Sequence, residues 1–283
     1  MNNLYKILLI LAGLGIFISC DKIDGPYITE DSSVATTVVF PDLDTNAVYR
    51  KILLEEFTGC QCVNCPQGHL EMANLLAVNG DTLVGLCIHA GFFARPLADY
   101  PRDFRTNEGT QLYDDLQAAT IGTPCGEVNR NTNAQAIAQW QSSIQNVDRT
   151  QRIAAIQLIN QYDAGTRILT ANTKTTILHE YSNPVKLALY VVEDGIVYPQ
   201  KNGTEIDTAY VHNHMLRGSL NGTYGANISE NGYVDKGVSY TKSYQVNCGE
   251  KDWNVDNCVI LAILTDAVTK EVLQVEKCSF LDD

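Results

Sequence analysis

Apolar residues follow two rhythms along this chain, and the change between them falls near the middle. Over residues 48–150, continuous apolar runs alternate with helical spacing. Residues 48–57 carry Ile52, Leu53 and Leu54 in succession, as in a strand covered on both faces. A turn follows over residues 58–64. Pro66 suits the first turn of a helix, where its missing N–H costs nothing. Residues 68–78 place Leu70, Ala73, Leu75, Leu76 and Ala77 on an apolar side, and Asn79-Gly80-Asp81 stops them. Residues 82–89 form a second buried-strand pattern, so the order predicts a β-α-β unit. Residues 90–110 are rich in Gly, Pro, Arg, Asp and aromatics and are long for a bare connection, which leaves short helices or a binding rim. Residues 111–119 predict a helix. So do residues 134–147, with Ile137, Ala138, Trp140, Ile144 and Val147 near one face and Asn133 as candidate cap.

After Asp148 the helical spacing stops. Residues 152–159, 166–181, 185–192, 232–246, 255–264 and 271–275 have strand composition, separated by turns such as Glu193-Asp194-Gly195. Strands at this spacing without helices predict an antiparallel β-sandwich over 151–283. The expected fold class is therefore an α/β domain over 48–150 followed by an all-β domain, with a boundary at 148–151.

The first residues have a different purpose. A short polar start with one Lys precedes an apolar run over 7–18, then Ser19 and Cys20. This has the three-part form of a secretory signal and is short for a membrane span. A Cys directly after the run, preceded by a small residue, resembles a bacterial lipoprotein signal, with Phe17 where Leu is usual. In that reading residues 1–19 are removed and Cys20 carries acyl chains, each buried methylene contributing about 0.8 kcal/mol to membrane binding. The plainer reading is cleavage nearby with an unmodified Cys20. Residues 20–47 read as a tether with a short strand candidate at 35–40.

Composition narrows the partners. The chain has 283 residues, 45% hydrophobic, with a formal net charge of −13. Its basic residues form no block or stripe able to follow phosphates, which argues against nucleic acid as a partner. An acidic surface also disfavours adsorption to anionic lipid by charge alone, so a lipid anchor is the expected link to a membrane. Nine cysteines in an exported chain point to disulfides.

The most specific chemistry is Cys62-x-x-Cys65 at the predicted strand-to-helix junction. A Cys at a helix start lies near unsatisfied backbone N–H groups, which favour thiolate. Cys62 would attack a disulfide and Cys65, one turn on, would resolve the mixed intermediate. Two features resemble the thioredoxin superfamily. Glu56 lies six residues before Cys62 on the preceding strand, where that superfamily holds a buried acid, and Phe57 follows it. Thr123-Pro124 comes after the second helical region, where the superfamily places a cis-proline facing the dithiol. Glu56 buried without a partner would have a raised pKa and could pass protons to Cys65; as an edge carboxylate it would have no such role.

Other cysteines complicate the site. Cys60 and Cys125 put third and fourth sulfurs near Cys62 and Cys65. The four are weak candidates for zinc or copper, with His69 and His89 as helpers, but their spacing matches no standard zinc site. Cys87 reads as packing or as a partner for Cys60. Cys248 and Cys258 could form a local disulfide, with Cys278 as competitor. His212 and His214 would share a face on a strand and could bind a metal, or a carboxylate with Arg217; the bland reading is a structural segment. No phosphate loop or serine elbow is present and no cofactor is expected.

Leu53 to Pro66, Tyr210-Val-His-Asn-His-Met-Leu-Arg217 and the closing segment from Trp253 to Val275 together resemble the Omp28-related outer membrane lipoproteins of Bacteroidota, over most of the chain from about Tyr49. The resemblance implies a lipid-anchored protein of the outer membrane or cell surface, with a thioredoxin-like domain and a β-sandwich domain. Three functions follow as expectations. The first is a cell-envelope protein capable of thiol–disulfide exchange with protein thiols or disulfides. The second is a surface binding or adhesion lipoprotein with structural disulfides and an extracellular ligand. The third is a copper or zinc binder using the cysteine cluster.

Overall fold

The computed structural model describes residues 38–281. The signal, Cys20, the tether up to residue 37 and the start of the 35–40 strand lie outside the described residues; residues 38–40 form no strand. The described chain is a β-rich mixture of strands and few helices. One nine-stranded sheet carries it, in the order β16-β15-β7-β12-β2-β1-β3-β4, with β13 also paired to β7. These strands are β1 Ile52–Thr58, β2 Leu83–His89, β3 Cys125–Val128, β4 Gln135–Ala136, β7 Val185–Glu193, β12 Met215–Ser219, β13 Ala226–Asn227, β15 Cys258–Asp266 and β16 Val272–Ser279. A second sheet of three strands, β14-β6-β5, comprises Ser239–Asn247, Ile168–Ile177 and Ala154–Asp163.

The first half forms the predicted strand, helix and strand. β1 and β2 are parallel, Ile52 opposite Leu83 and Glu56 opposite Cys87. Between them runs α1, Cys65–Asn79, with Pro66 in its first turn. The helix starts three residues earlier than its apolar spacing suggests because Pro66 nucleates the turn beside the cysteines. Every residue of β1 is buried, and its alternation serves two cores. Ile52 and Leu54 pack with Met72 and Leu75 of α1 and with Trp140 and Ile144. Leu53 and Phe57 face the opposite core with Leu86, Ile88 and Leu112.

Two helices differ from expectation for identifiable reasons. α2 is Asn107–Asp115, not 111–119. Thr106 caps it, its hydroxyl accepting from Gly109 N at 2.9 Å, a signal the apolar spacing does not carry. α3 is Ile137–Gln145, and Asn133 does not cap it. Residues 135–136 are taken by β4, which pairs with β3, and Asn133 Nδ2 donates to Gln117 Oε1 instead.

The second half contains no α-helix among the described residues. Its three-stranded sheet lies over β7 and β15, enclosing Leu169, Ala171, Ile177, Leu187, Leu189, Ile260 and Ala262 in a sandwich core. The opposite face of β7 and β15, through Tyr190, Leu261 and Ile263, closes the core beneath β1 and β2. β12 inserts between β7 and β2: Met215 pairs with Cys87, whose N–H donates to His214 O at 2.7 Å. Strands from before and after residue 150 therefore lie side by side in one sheet. A fully buried ion pair braces it, Glu55 on β1 taking Arg130 Nε and Nη2 at 2.7 and 2.6 Å.

Candidate functional site

The C-terminal ends of β1 and β2 and the N-terminus of α1 converge on Cys62 and Cys65. The turn between β1 and α1 is held by its own backbone: Cys62 N donates to Gly59 O at 3.0 Å and Cys65 N to Cys62 O at 3.3 Å. Cys62 and Cys65 form a disulfide with their Cα atoms 5.4 Å apart. Cys62 is 3% exposed and Cys65 is fully covered, so the pair is nearly closed to solvent. The Thr123–Pro124 peptide is cis and adjoins it, with Thr123 O 3.5 Å from Cys62 Sγ.

Glu56 lies beneath the helix. Its period-2 position on β1 points it to the α1 side, where no cation is paired with it. Its Oε2 accepts from the Cys87 thiol at 3.6 Å, and its Oε1 has no hydrogen-bond partner. Burial raises its pKa well above the ordinary carboxylate value, only partly opposed by the Cys87 bond. Gly68, one turn after Cys65, is what lets the helix come this close. A Cβ there would collide with Glu56 Oε1 and lie 2.9 Å from Pro124 Cβ. Glu56, the helix start and Pro124 are thus one packed unit.

The next residue of α1 extends this unit. His69 Nε2 shares a hydrogen bond with Thr58 Oγ1 at 2.9 Å and lies 3.7 Å from Glu56 Oε1. Its Nδ1 shares one with the Tyr210 hydroxyl at 2.7 Å. Burial, then the positive character of His212 and His214 when charged, lowers its pKa to about 3. His212 and His89 meet edge to face nearby, their ring centroids 5.4 Å apart. Burial lowers His212 to about 4 and His89 well below its usual value. Both ring nitrogens of His89 and Nδ1 of His212 are buried without a partner.

Several expectations for the remaining residues change. His212 and His214 do not share a face. His212 is buried on the short strand β11, Val211–His212, whereas His214 has φ 56° and pairs with Asp194 at 3.2 Å. Arg217 is taken by Glu193 and Asp252. Cys60 packs with Tyr100, Phe104, Ile196 and Met215, while Cys125 belongs to the core under β1. Burial pushes both thiols up to about 12, so neither is a ready ligand or nucleophile. Cys87 faces Glu56 and Met72, not Cys60. Cys248 and Cys258 are buried in the sandwich core and are not bonded to each other. Among the described residues, no group of three or more His, Cys, Asp or Glu is arranged to hold a metal ion.

One contributor carried no sequence signal. The second half sends a hairpin, β9 Gln200–Asn202 and β10 Glu205–Asp207, onto the cysteine turn. Gln200 Nε2 donates to Cys62 O at 2.9 Å and Gly59 O at 3.4 Å, and Lys201 N donates to Cys60 O at 2.8 Å. Thr58 and His69, by contrast, were legible as periodicities: two residues from Glu56 on a strand, and four from Cys65 on a helix.

The fold has counterparts among solved structures. HBP35 of Porphyromonas gingivalis superposes with a TM-score of 0.62 at 17% identity, covering 82% of this chain and 76% of that one. Protein AGR_C_4864 from Agrobacterium tumefaciens superposes with a TM-score of 0.51 at 13% identity, covering 83% and 97%. At these identities the likeness is one of fold alone. No curated protein matches the chain by sequence. The family model "Outer membrane protein Omp28" matches residues 110–281, well over half of the chain. That match begins after Cys65, so it leaves the disulfide outside it. The chain belongs to the Omp28 family and is an outer-membrane protein of the cell envelope.

Proposed function

We propose that this chain is a lipid-anchored envelope protein whose first half is thioredoxin-like and whose Cys62–Cys65 pair exchanges with protein thiols and disulfides. The observation that carries the reading is the disulfide at the start of α1, the helix that packs through Gly68 on a buried carboxyl with no cation to hold it ionised. In the reduced protein, Cys62 at the helix start would be the thiolate, favoured by the free N–H groups of the first turn. Cys65 would be the resolving thiol, and Glu56 the group that exchanges its proton. Cys20 would hold the chain to the membrane through its acyl chains. The Cys20→Ser variant should then leave the membrane fraction and appear in the detergent-poor phase on phase separation. Retention of that variant in the membrane would remove the anchor from the proposal.

A competing reading, a binding lipoprotein with a purely structural disulfide, is favoured by the 3% exposure of Cys62. The two separate on reducibility. An exchanging pair is reduced by millimolar dithiothreitol in the folded protein and equilibrates with glutathione. A structural pair stays closed until unfolding, with a potential below about −300 mV. Quenching with acid and alkylating before mass spectrometry reads the outcome directly.

A further inference from the structure

Cys62 is nearly closed to solvent, so a partner thiol reaches it only by holding on to the surface beside it. That surface is apolar. Phe92 and Phe93, in the short turn after β2, are 60% and 42% exposed. Val63, next to Cys62, and Ile121, two residues before Thr123, are exposed as well. Single apolar residues scattered over a surface need no explanation. Four of them on three segments that meet at one sulfur form a patch, the mark of an interaction site. The segments meet through bonds already in place: Thr123 O lies 3.5 Å from Cys62 Sγ, and Gln61 N donates to Phe93 O at 3.1 Å.

The turn that carries the two phenyl rings is fixed on the cysteine turn. Gln61 Nε2 donates to Arg95 O. A Cβ on Gly59 would lie 2.5 Å from the Phe93 carbonyl carbon, so the close approach needs a glycine there. Gly91, at φ 71°, starts the turn against Tyr113, where a Cβ would lie 2.7 Å from the ring. The two phenyl rings meet edge to face with centroids 5.3 Å apart, and the Arg95 guanidinium lies over Phe92, 3.7 Å from its centroid. Arg95 is exposed and pairs with no carboxylate among the described residues. An aromatic pair with a stacked cation is therefore presented ready-made, with little left to order when a partner binds.

We infer that Phe92, Phe93 and Arg95 are the substrate-recognition surface of the exchange reaction, and that they select peptide segments whose cysteine is flanked by an apolar and an acidic residue. This deepens the exchange reading above and rests on it. The apolar flank covers the phenyl rings and Val63, and the acidic flank pairs with Arg95. Binding at these non-reacting side chains seats the cysteine against the turn. The peptide thiolate attacks Cys62 Sγ, the Cys62–Cys65 bond breaks, and Cys65 leaves as a thiolate that takes a proton from solvent. A second thiolate of the peptide attacks the peptide sulfur of the mixed disulfide, and Cys62 leaves and is protonated in the same way. The peptide dithiol is oxidised and the protein disulfide reduced. A membrane is the less fitting occupant, because the turn is bonded to the cysteines and the chain carries a net charge of −13, which disfavours anionic lipid.

The test follows reduction of the oxidised full chain by three probes: dithiothreitol, a two-cysteine peptide flanked by Phe and Asp, and the same peptide flanked by Ser and Asn. Acid quenching, alkylation and mass spectrometry give the rates, and each peptide's rate is divided by that of dithiothreitol in the same variant. In wild type this ratio should be about tenfold higher for the Phe/Asp peptide than for its Ser/Asn counterpart. Phe92→Ser should remove most of the preference. Arg95→Glu should lower the ratio for the Phe/Asp peptide and raise it for a Phe/Lys one, which keeps the test available if Phe92→Ser folds poorly. Equal ratios for the two peptides in wild type, or a preference unchanged in both variants, overturn the surface while leaving exchange intact. Phosphatidylcholine vesicles that bind the Cys20→Ser chain but not its Phe92→Ser version, with the peptide preference unchanged, make the turn a membrane contact and overturn the inference too. A wild-type disulfide that none of the three probes reduces overturns the exchange reading and this inference with it.

Discussion

Gly68 shows how much one missing methyl decides at this site. It has an ordinary helical setting, so its value lies in the approach of Glu56 and Pro124 rather than in backbone freedom. Gly68→Ala should raise helix propensity yet destabilise the protein, because overpacking of this kind costs about 1–3 kcal/mol and outweighs a propensity gain of about 1 kcal/mol. Urea unfolding would measure it, and an unchanged or improved midpoint would mean that α1 can move away from Glu56. Glu56 itself illustrates what a motif conveys. Its offset from Cys62 was readable as a buried acid or an edge carboxylate, and the two differ only in what covers it. The covering comes from α1 and from Cys87, which no local spacing announces.

At the scale of elements, the long strands β1, β2, β5, β6, β7, β14, β15 and β16 and the first helix follow from apolar pattern and turn residues, with ends displaced by up to seven residues, whereas short strands such as β3 and β12 do not. α2 and α3 moved because a cap at Thr106 and a strand pairing at Gln135–Ala136 outweighed apolar spacing. The β9–β10 hairpin was not legible at all. Three-residue strands are too short to show alternation, and Glu205–Asp207 is exposed throughout. Yet this hairpin holds the cysteine turn through Gln200. Gln200→Ala should remove the second donor to Gly59 O and Cys62 O, which keep their backbone donors, costing about 1 kcal/mol locally. If the Cys62–Cys65 pair is exchangeable, dithiothreitol should reduce it several-fold faster in this variant. A wild-type reduction rate in Gln200→Ala would show that the hairpin does not control access.

At the scale of the molecule, three buried histidines and the two carboxyls whose pKa burial raises, Glu56 and Glu127, set the response to acid. His69, His89 and His212 are neutral in the fold, whereas unfolded histidine titrates near pH 6.5. Below that pH unfolding takes up one proton for each, so stability falls as pH falls. Glu56 and Glu127, the latter raised to about 7 by burial, stay protonated in the fold and ionise on unfolding above about pH 4.3, which acts in the opposite sense. Between about pH 6.5 and 4.5 the balance is near one proton, a loss of about 1.4 kcal/mol per pH unit on acidification. His212→Gln should flatten this limb in urea unfolding measured at stepped pH. A slope unchanged from wild type would mean that His212 is charged in the fold.

Sequence alone determined the local layer: the strand–helix–strand unit, the strand-rich second half and the dithiol at a helix start. These follow from periods of 2 and 3.6 residues and from turn chemistry, which are properties of short windows. Only the tertiary structure decided the rest. It ran one sheet across residue 150 through β12, buried the Cys60 and Cys125 thiols in apolar clusters, and turned His212 inward while leaving His214 half-exposed beside Asp194. It also brought Tyr210 and Gln200 from the second half to a site that the first half begins. Contacts between residues more than a hundred positions apart depend on how strands from distant segments are ordered in a sheet, and no window of sequence contains that order.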